Sequence, residues 1–338
     1  MYKHPTDLAI LVGINTYPAM GSLEGAENDV AEFEKWLIDA DGGGMDPARI
    51  WKVLGSELNQ TPPQYAYDAK PTTVDVYAKI RQLKHQIPDA GAYPRKGRRL
   101  YLFFSGHGFS PELNETALFM ANAAHDALSE NVPGFALVNH MLGAGWFEEY
   151  ILIMDCCRDY ISTAMKGVIT MSNLSPDPNA DPKFAYFYAV PQAAKVPERK
   201  IGPNGTMQGV FTTSVLEALR GHKVDSEGRV TKQTMKEYLQ GAMRERLGNG
   251  TTSRVDGHDI VLVEGVSARK TKVTITLAAA GPAPLQLKDP MLTLLETLPP
   301  QTTEFSLELP FGTYVLQYEG AEAYKTFTAY GERCIVEF

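Results

Sequence analysis

The sequence LYLFFSGHG at residues 100–108 decides the fold, because an apolar run leads directly into a histidine between two glycines. The sequence YILIMDCCR at residues 150–158 repeats this arrangement, with two adjacent cysteines after the run. Apolar runs of about five residues, bounded by turn-forming residues, are typical of strands buried on both faces of a parallel sheet. Catalytic groups of open α/β sheets gather at the carboxyl ends of such strands. We therefore expect His107 and a cysteine to face each other across two strand ends.

These two segments belong to an alternation of strands and helices that continues to about residue 266. Apolar residues spaced three and four apart, as in Val30, Phe33 and Leu37, indicate helices. Further strands are predicted at residues 8–14, 49–54, 184–190 and 259–263, and further helices at 76–87, 136–149, 209–219 and 232–246. Turn-forming residues and prolines predict an exposed loop at 166–183. This alternation implies an α/β fold with a mainly parallel sheet flanked by helices.

From about residue 268 the pattern changes to alternating apolar and polar residues. Threonines separate Val273, Ile275 and Leu277, and residues 305–309 and 314–318 alternate in the same way. Segments of period two joined by short turns are typical of a small antiparallel sandwich. We therefore predict two domains, with the α/β domain at residues 1–266 and a small all-β sandwich at 267–338.

Charge and composition narrow the classes of partner. The net charge of −8 argues against a nucleic-acid-binding surface, which needs clustered Lys and Arg. The apolar stretch at residues 8–14 is too short to cross a bilayer and lacks the basic lead-in and cleavage site of a secretion signal. Three cysteines, two of them adjacent, make no disulfide framework and favour a reducing, cytoplasmic setting. We expect neither a nucleic acid nor a membrane as partner.

A cysteine facing a histidine suggests thiol protease chemistry. The thiolate is the nucleophile, yet an unperturbed thiol with a pKa of about 8.5 is only slightly ionised at neutral pH. An imidazole at His107 can stabilise the thiolate or take its proton, and then protonate a leaving amine. The amide of Gly108, together with that of Cys157, is a candidate donor to the oxyanion. The alternative is a buried structural cysteine and a core histidine, each of which is common by itself.

Several ordered motifs in residues 7–264 resemble those of the caspase/metacaspase superfamily. SGHG at 105–108 matches its histidine motif, and DCCR at 155–158 is similar to the metacaspase Asp-Ser-Cys-His pattern. The remaining motifs resemble its acidic loop and later elements of bacterial members: LEGAEND at 23–29, AVPQAAKVPE at 189–198, GVFT at 209–212 and GRVT at 228–231. The resemblance implies a caspase-like peptidase domain with Cys157 as nucleophile and Cys156 in the serine position. Arg158 and the two residues after it depart from the family pattern.

The resemblance also implies a substrate pocket. Metacaspases that cleave after Arg or Lys place acids at the positions of Asp29 and Asp155, with the serine of the histidine motif, Ser105, alongside. These residues predict cleavage after basic residues, with Arg preferred because its guanidinium binds a carboxylate through two hydrogen bonds. The alternatives are a helix N-cap for Asp29 and a turn residue for Asp155. Glu198 is a candidate third acid, although a surface charge is the preferred interpretation for it.

No cofactor is expected. The cysteines and His107 lack the paired spacing of zinc ligands, and Cys334 falls in the other predicted domain. The resemblance allows calcium activation, but the sequence contains no contiguous Asp/Asn-Gly calcium loop. Lys166 and Lys183 flank the predicted loop, which occupies the place of the caspase intersubunit linker. Self-cleavage in this loop is therefore a further hypothesis.

The sequence is compatible with two functions from different classes. The first is a cytoplasmic cysteine endopeptidase in which a Cys157–His107 dyad cleaves protein or peptide substrates after Arg or Lys. The second is a proteolytically silent caspase-fold scaffold that recruits a regulatory protein partner through the C-terminal β domain. The resemblance to bacterial members is compatible with a place in a stress or defence cascade.

Overall fold

The computed structural model describes residues 2–86, 95–112, 114–158, 166–169, 179–189, 197–201, 205–248 and 253–338. The chain forms two compact units. The first comprises Met1–Leu216 and Thr251–Ile260, and the second comprises Glu217–Gly250 and Val261–Phe338. The second unit therefore includes residues that precede the predicted sandwich, and the domain boundary at residue 266 stays a prediction.

Helices are interspersed among the strands up to residue 247, and every secondary-structure element in the described residues after that point is a strand. The helices are α1 Ala26–Ile38, α2 Gly55–Leu58, α3 Thr73–Gln86, α4 Gly134–Leu142, α5 Val210–Glu217 and α6 Lys232–Leu247. The strands are β1 Leu8–Gly13, β2 Ile50–Leu54, β3 Gly97–Gly106, β4 Gly108–Phe109, β5 Ala117–Phe119, β6 Asn131–Pro133, β7 Phe147–Cys156, β8 Lys183–Tyr188, β9 Glu198–Lys200, β10 Met207–Gly209, β11 Val230–Thr231, β12 Arg254–Gly257, β13 Val261–Val263, β14 Lys270–Thr276, β15 Leu285–Lys288, β16 Leu294–Leu298, β17 Glu304–Pro310, β18 Gly312–Tyr318, β19 Tyr324–Ala329 and β20 Arg333–Glu337. Within the described ranges, no helix has both the length and the apolar character needed to cross a membrane.

The first unit is built on a six-stranded sheet in the order β12-β8-β7-β3-β1-β2. The five strands β2, β1, β3, β7 and β8 run parallel, and β12 pairs with β8 in the antiparallel direction at one edge. β1 is buried along its whole length and β3 and β7 nearly so, as their continuous apolar runs predict. α1 packs on β1 and β3, and α4 packs on β7. The mainly parallel α/β fold predicted from the sequence is confirmed.

Two predicted elements differ from the structure. The helix predicted at 136–149 ends at Leu142, because Gly145 adopts a left-handed φ of 60° and β7 begins at Phe147. The strand predicted at 259–263 begins at Val261 and pairs with β11 in the second unit, so that β12 is the strand that closes the central sheet. Half of the loop predicted at 166–183, residues 170–178, lies outside the described residues.

The register of the central sheet aligns the segments at residues 100–108 and 150–158. Gly106 at the end of β3 pairs with Cys156 at the end of β7. His107 and Cys157 are the next residues along their respective segments, so they leave the sheet at the same carboxyl edge.

The second unit contains α6 and a sandwich of two small sheets. Their strand orders are β17-β14-β20 and β16-β15-β18-β19, and side chains from both sheets form one apolar core. The alternating sequence explains this arrangement, because successive side chains of a strand point to opposite faces. Hydrogen bonds anchor α6: Tyr238 and Arg246 donate to the Glu217 carboxylate at 2.7 and 2.6 Å, and the Gly331 amide donates to the Tyr238 hydroxyl.

Candidate active site

His107 and Cys157 line one cavity at the carboxyl edge of the central sheet. The cavity has a volume of about 560 Å³ and is also lined by Asp29, Asp155 and Glu198. The structure thus brings a thiol, an imidazole and carboxylates together from distant segments of the first unit.

The two adjacent cysteines have different environments, because Cys156 is the last residue of β7 and Cys157 is the first residue beyond it. Cys156 is 1% exposed in the apolar core, with its Sγ atom 3.8 Å from the Phe104 carbonyl oxygen. Burial raises the pKa of the Cys156 thiol well above its ordinary value. Cys157 is half-buried and lines the cavity. Cys157 is therefore the cysteine of this pair that a substrate in the cavity would reach.

Tyr17 holds the backbone and the ring of His107. The Tyr17 hydroxyl accepts a hydrogen bond from the His107 amide at 3.1 Å and donates one to the Phe119 carbonyl at 3.1 Å. The Tyr17 and His107 rings meet edge to face, with centroids 4.7 Å apart. Burial raises the pKa of the Tyr17 phenol well above its ordinary value, so the hydroxyl keeps its proton. Tyr17 is not among the residues predicted from the sequence, since no local pattern indicates this contact.

A backbone carbonyl sets the tautomer of His107. The Nε2 atom of His107 lies 2.9 Å from the carbonyl oxygen of Gly21. A carbonyl oxygen only accepts hydrogen bonds, so we assign the proton of the neutral ring to Nε2. The lone pair then resides on Nδ1, which makes Nδ1 the ring atom able to take a proton.

Asp29 and Asp155 are buried carboxyls that accept hydrogen bonds from different segments. Asp29 accepts from the Ser105 hydroxyl at 2.8 Å and from the Gly209 amide at 2.9 Å. Asp155 accepts from the amide and the hydroxyl of Thr212, at 2.9 and 2.7 Å. Asp29 lies in the first turn of α1, one turn after the N-cap residue, so the N-cap interpretation of Asp29 is wrong. The three residues that the resemblance assigned to the substrate pocket all line this cavity.

The backbone of Gly209 lies against both buried carboxyls. A Cβ atom at this position would lie 2.8 Å from Asp29 Oδ2 and closer still to Asp155 Oδ2, so only glycine fits here. Burial raises the pKa of Asp29 well above its ordinary value, and the charge of Asp155 adds to this effect. Burial likewise raises the pKa of Asp155 to about 6. Two buried like charges repel, so a cation entering the cavity would favour ionisation of both groups.

Glu198 also belongs to this cavity, contrary to its preferred interpretation as a surface charge. It is half-buried, begins β9 and pairs with Gly209 of β10. Its carboxylate accepts hydrogen bonds from the Glu24 amide at 3.0 Å and from the Gly25 amide at 2.8 Å. The short strand that carries Glu198 has no apolar pattern that would have placed it here.

The contacts of Gly108 and Lys166 do not decide whether Gly108 donates to the oxyanion or whether the chain cleaves itself near Lys166. Gly108 is buried in β4, and a Cβ atom on it would lie 3.1 Å from the Cys157 carbonyl oxygen, so it packs beside that residue. Its role as an oxyanion donor stays a prediction. The Lys166 ammonium lies 3.2 Å from a Glu112 carboxylate oxygen and 4.0 Å from one of Glu115, and self-cleavage nearby stays a prediction.

The described part of the chain contains no group of three or more His, Cys, Asp or Glu side chains arranged to hold a metal ion. Independence from metals and other cofactors stays a prediction.

Comparisons with known proteins show which family this chain is similar to. A family model described as a caspase domain matches residues 6–252. A probable protease of a Desulfuromonadales bacterium is 24% identical over 258 residues, which make up 73% of this chain and 31% of that protein. The chain thus spans about a third of the length of this relative. A solved structure titled pro-sf-caspase-1 is 13% identical, covering 76% of this chain and 88% of its own, with a TM-score of 0.40.

Proposed function

Because the chain belongs to the caspase-domain family of cysteine peptidases, we propose that it is an endopeptidase that cleaves peptide bonds after Arg or Lys. The observation that carries this proposal is one cavity lined by His107, Cys157 and the carboxylates of Asp29, Asp155 and Glu198. A thiol and an imidazole that line the same cavity support acyl transfer, and the buried acids Asp29 and Asp155 support recognition of a cation.

The proposed reaction begins with a proton transfer within the dyad. Nδ1 of His107 takes the proton of Cys157 Sγ, and the thiolate attacks the carbonyl carbon of the scissile bond. Backbone amides near the nucleophile stabilise the oxyanion that forms. The imidazolium then gives its proton to the leaving amine, which leaves an acyl group on Cys157. Water deprotonated by the same imidazole hydrolyses this thioester and restores the thiol.

The proposed preference for basic residues rests on the charges of the cavity. The described residues that line it include no Lys or Arg to neutralise the acids. A guanidinium or ammonium would offset the repulsion between Asp29 and Asp155, whereas a substrate carboxylate would increase it. Each charge-assisted hydrogen bond contributes about 1.5–3 kcal/mol, which is roughly ten- to hundredfold discrimination against a neutral side chain.

A fluorogenic peptide assay tests the proposal. Peptides with Arg, Lys or Asp before the fluorophore are given to the wild type, to Cys157→Ala and to Cys334→Ala, a matched control in the second unit. We expect the wild type and Cys334→Ala to hydrolyse the Arg peptide and Cys157→Ala not to do so. Equal hydrolysis by the wild type and Cys157→Ala would exclude the peptidase mechanism. Faster hydrolysis of the Asp peptide would exclude the basic pocket and leave the thiol chemistry standing.

The alternative function, a silent scaffold, has one supporting observation in the second unit. Met291, Leu292, Leu294 and Leu295 are exposed on and beside the β15–β16 hairpin. Clustered exposed apolar side chains often mark interaction surfaces, so a regulatory protein partner is a second proposal for this unit. In the scaffold alternative, the wild type and Cys157→Ala would be equally inactive on every peptide. A place in a stress or defence cascade rests on the family resemblance alone.

A further inference from the structure

The carboxylate of Glu198 holds one end of the segment at residues 21–25, which we name the histidine loop. Glu198 Oε2 accepts a hydrogen bond from the Glu24 amide at 3.0 Å, and Oε1 accepts one from the Gly25 amide at 2.8 Å. A Cβ atom on Gly25 would lie 2.9 Å from Oε1, so the carboxylate packs directly against this backbone. Two charge-assisted hydrogen bonds from one side chain fix the position of the loop end.

The other end of the histidine loop holds the imidazole. The Gly21 carbonyl oxygen lies 2.9 Å from Nε2 of His107. Because it accepts the Nε2 proton, the lone pair of the neutral ring is on Nδ1. The middle of the loop is tied down where the Leu23 amide donates to the Asn15 carbonyl at 2.7 Å. A short, tethered segment therefore connects Glu198 to the ring of His107.

Resting on the function proposed above, we propose that Glu198 is a positioning residue that acts on His107 through the histidine loop. Both of its carboxylate oxygens bind backbone amides, whereas Asp29 and Asp155 present the buried charges that a basic side chain would meet. If Glu198 releases the loop, the Gly21 carbonyl moves and the imidazole loses the partner that fixes its orientation. Displacements of about 1 Å in a catalytic group can lower the rate about a hundredfold.

The test uses a reagent whose reaction with Cys157 does not depend on recognition by the acidic residues of the cavity. Iodoacetamide is small and uncharged, and its reaction with Cys157 depends on the thiolate that a correctly placed imidazole promotes. The rate of Cys157 alkylation at neutral pH is measured by peptide mass spectrometry in the wild type, His107→Ala, Glu198→Gln and Glu57→Gln. Glu57→Gln is the matched control, since it makes the same chemical change at an exposed carboxylate of the first unit, outside both the histidine loop and the residues that line the cavity.

We expect Glu198→Gln to lower the alkylation rate at least tenfold, to a value near that of His107→Ala, while Glu57→Gln keeps the wild-type rate. With the Arg peptide, Glu198→Gln should lower kcat more than it raises KM. If Glu198→Gln does not fold, Glu198→Asp gives the same comparison, because the shortened side chain keeps the charge but does not reach both amides.

An unchanged alkylation rate in Glu198→Gln would overturn the positioning role. If that result came with a higher KM for the Arg peptide, Glu198 would instead contact the substrate directly. Failure of the proposed function has a different signature, which is the absence of any difference between the wild type and Cys157→Ala on the Arg peptide.

Discussion

Replacement of Asp155 by asparagine should stabilise the folded protein at mildly alkaline pH and at the same time weaken its recognition of a basic substrate residue. Asp155 is 6% exposed, and its Oδ2 atom accepts both hydrogen bonds from Thr212. The side-chain oxygen of an asparagine accepts the same two bonds in nearly the same space. The substitution therefore removes a buried negative charge and changes little else.

The size of the stabilisation follows from the pKa of this group. Burial raises the pKa of Asp155 from 3.8 to about 6, and one pKa unit corresponds to about 1.4 kcal/mol. The ionised carboxylate thus costs the folded state up to about 3 kcal/mol. Because Asp29 titrates together with Asp155, we expect a net gain of about 1–3 kcal/mol in Asp155→Asn.

The pH dependence has a definite sign. The folded pKa of Asp155 is above its unfolded value, so the contribution of Asp155 to wild-type stability is fully present below about pH 4 and is lost as the pH rises to about 6. Asparagine does not titrate in this range. The advantage of Asp155→Asn should therefore be absent near pH 4, grow up to about pH 6 and stay constant above it.

Urea unfolding of the wild type and Asp155→Asn across this pH range measures the stability, and hydrolysis of the Arg peptide measures recognition. The control is Asp41→Asn, which makes the same chemical change at an exposed carboxylate and should give no gain. We expect Asp155→Asn to lose about ten- to hundredfold in kcat/KM for the Arg peptide. The reasoning would be refuted by a variant no more stable than the wild type above about pH 6, or by undiminished hydrolysis.

Three further predictions concern Gly209, Tyr17 and the effect of removing metal ions. Gly209→Ala should abolish hydrolysis of the Arg peptide, because a Cβ atom would displace the carboxyls of Asp29 and Asp155, and wild-type rates in the peptide assay would contradict this. Tyr17→Phe should lower kcat about tenfold with little change in KM, because the His107 amide loses its partner. Steady-state kinetics test this, and a change in KM alone would contradict it. A chelator should leave peptide hydrolysis unchanged, because the proposed reaction of a thiol and an imidazole uses no metal ion, whereas a loss that calcium restores would argue against it.

The central strands are predictable from the sequence because their apolar runs are continuous. β3 and β7 are buried over nearly their whole lengths, so no surface alternation obscures their pattern. The end of α4 is not predictable in this way, because apolar residues continue from the helix into β7 across Gly143 and Gly145. The pairing of β13 with β11 depends on the packing of the second unit, which a local pattern does not encode.

The kinds of residue in the site are predictable from motifs, but the contacts that hold them are not. The Gly21 contact to His107 uses a backbone carbonyl, which every residue has, so the sequence carries no signal for it. Glu198 binds the Gly25 amide across 173 residues, from a strand of three residues without periodicity. Such contacts arise from tertiary packing and become visible only when the segments are brought together.

The site of labelling by a peptidyl-arginine halomethyl ketone tests the central claim most directly. The reagent alkylates the cysteine that attacks its carbonyl, after its arginine has entered the cavity. We expect one adduct, on Cys157, formed at least tenfold faster than with the matching aspartate reagent. An adduct on Cys156 or Cys334, or faster labelling by the aspartate reagent, would contradict the account.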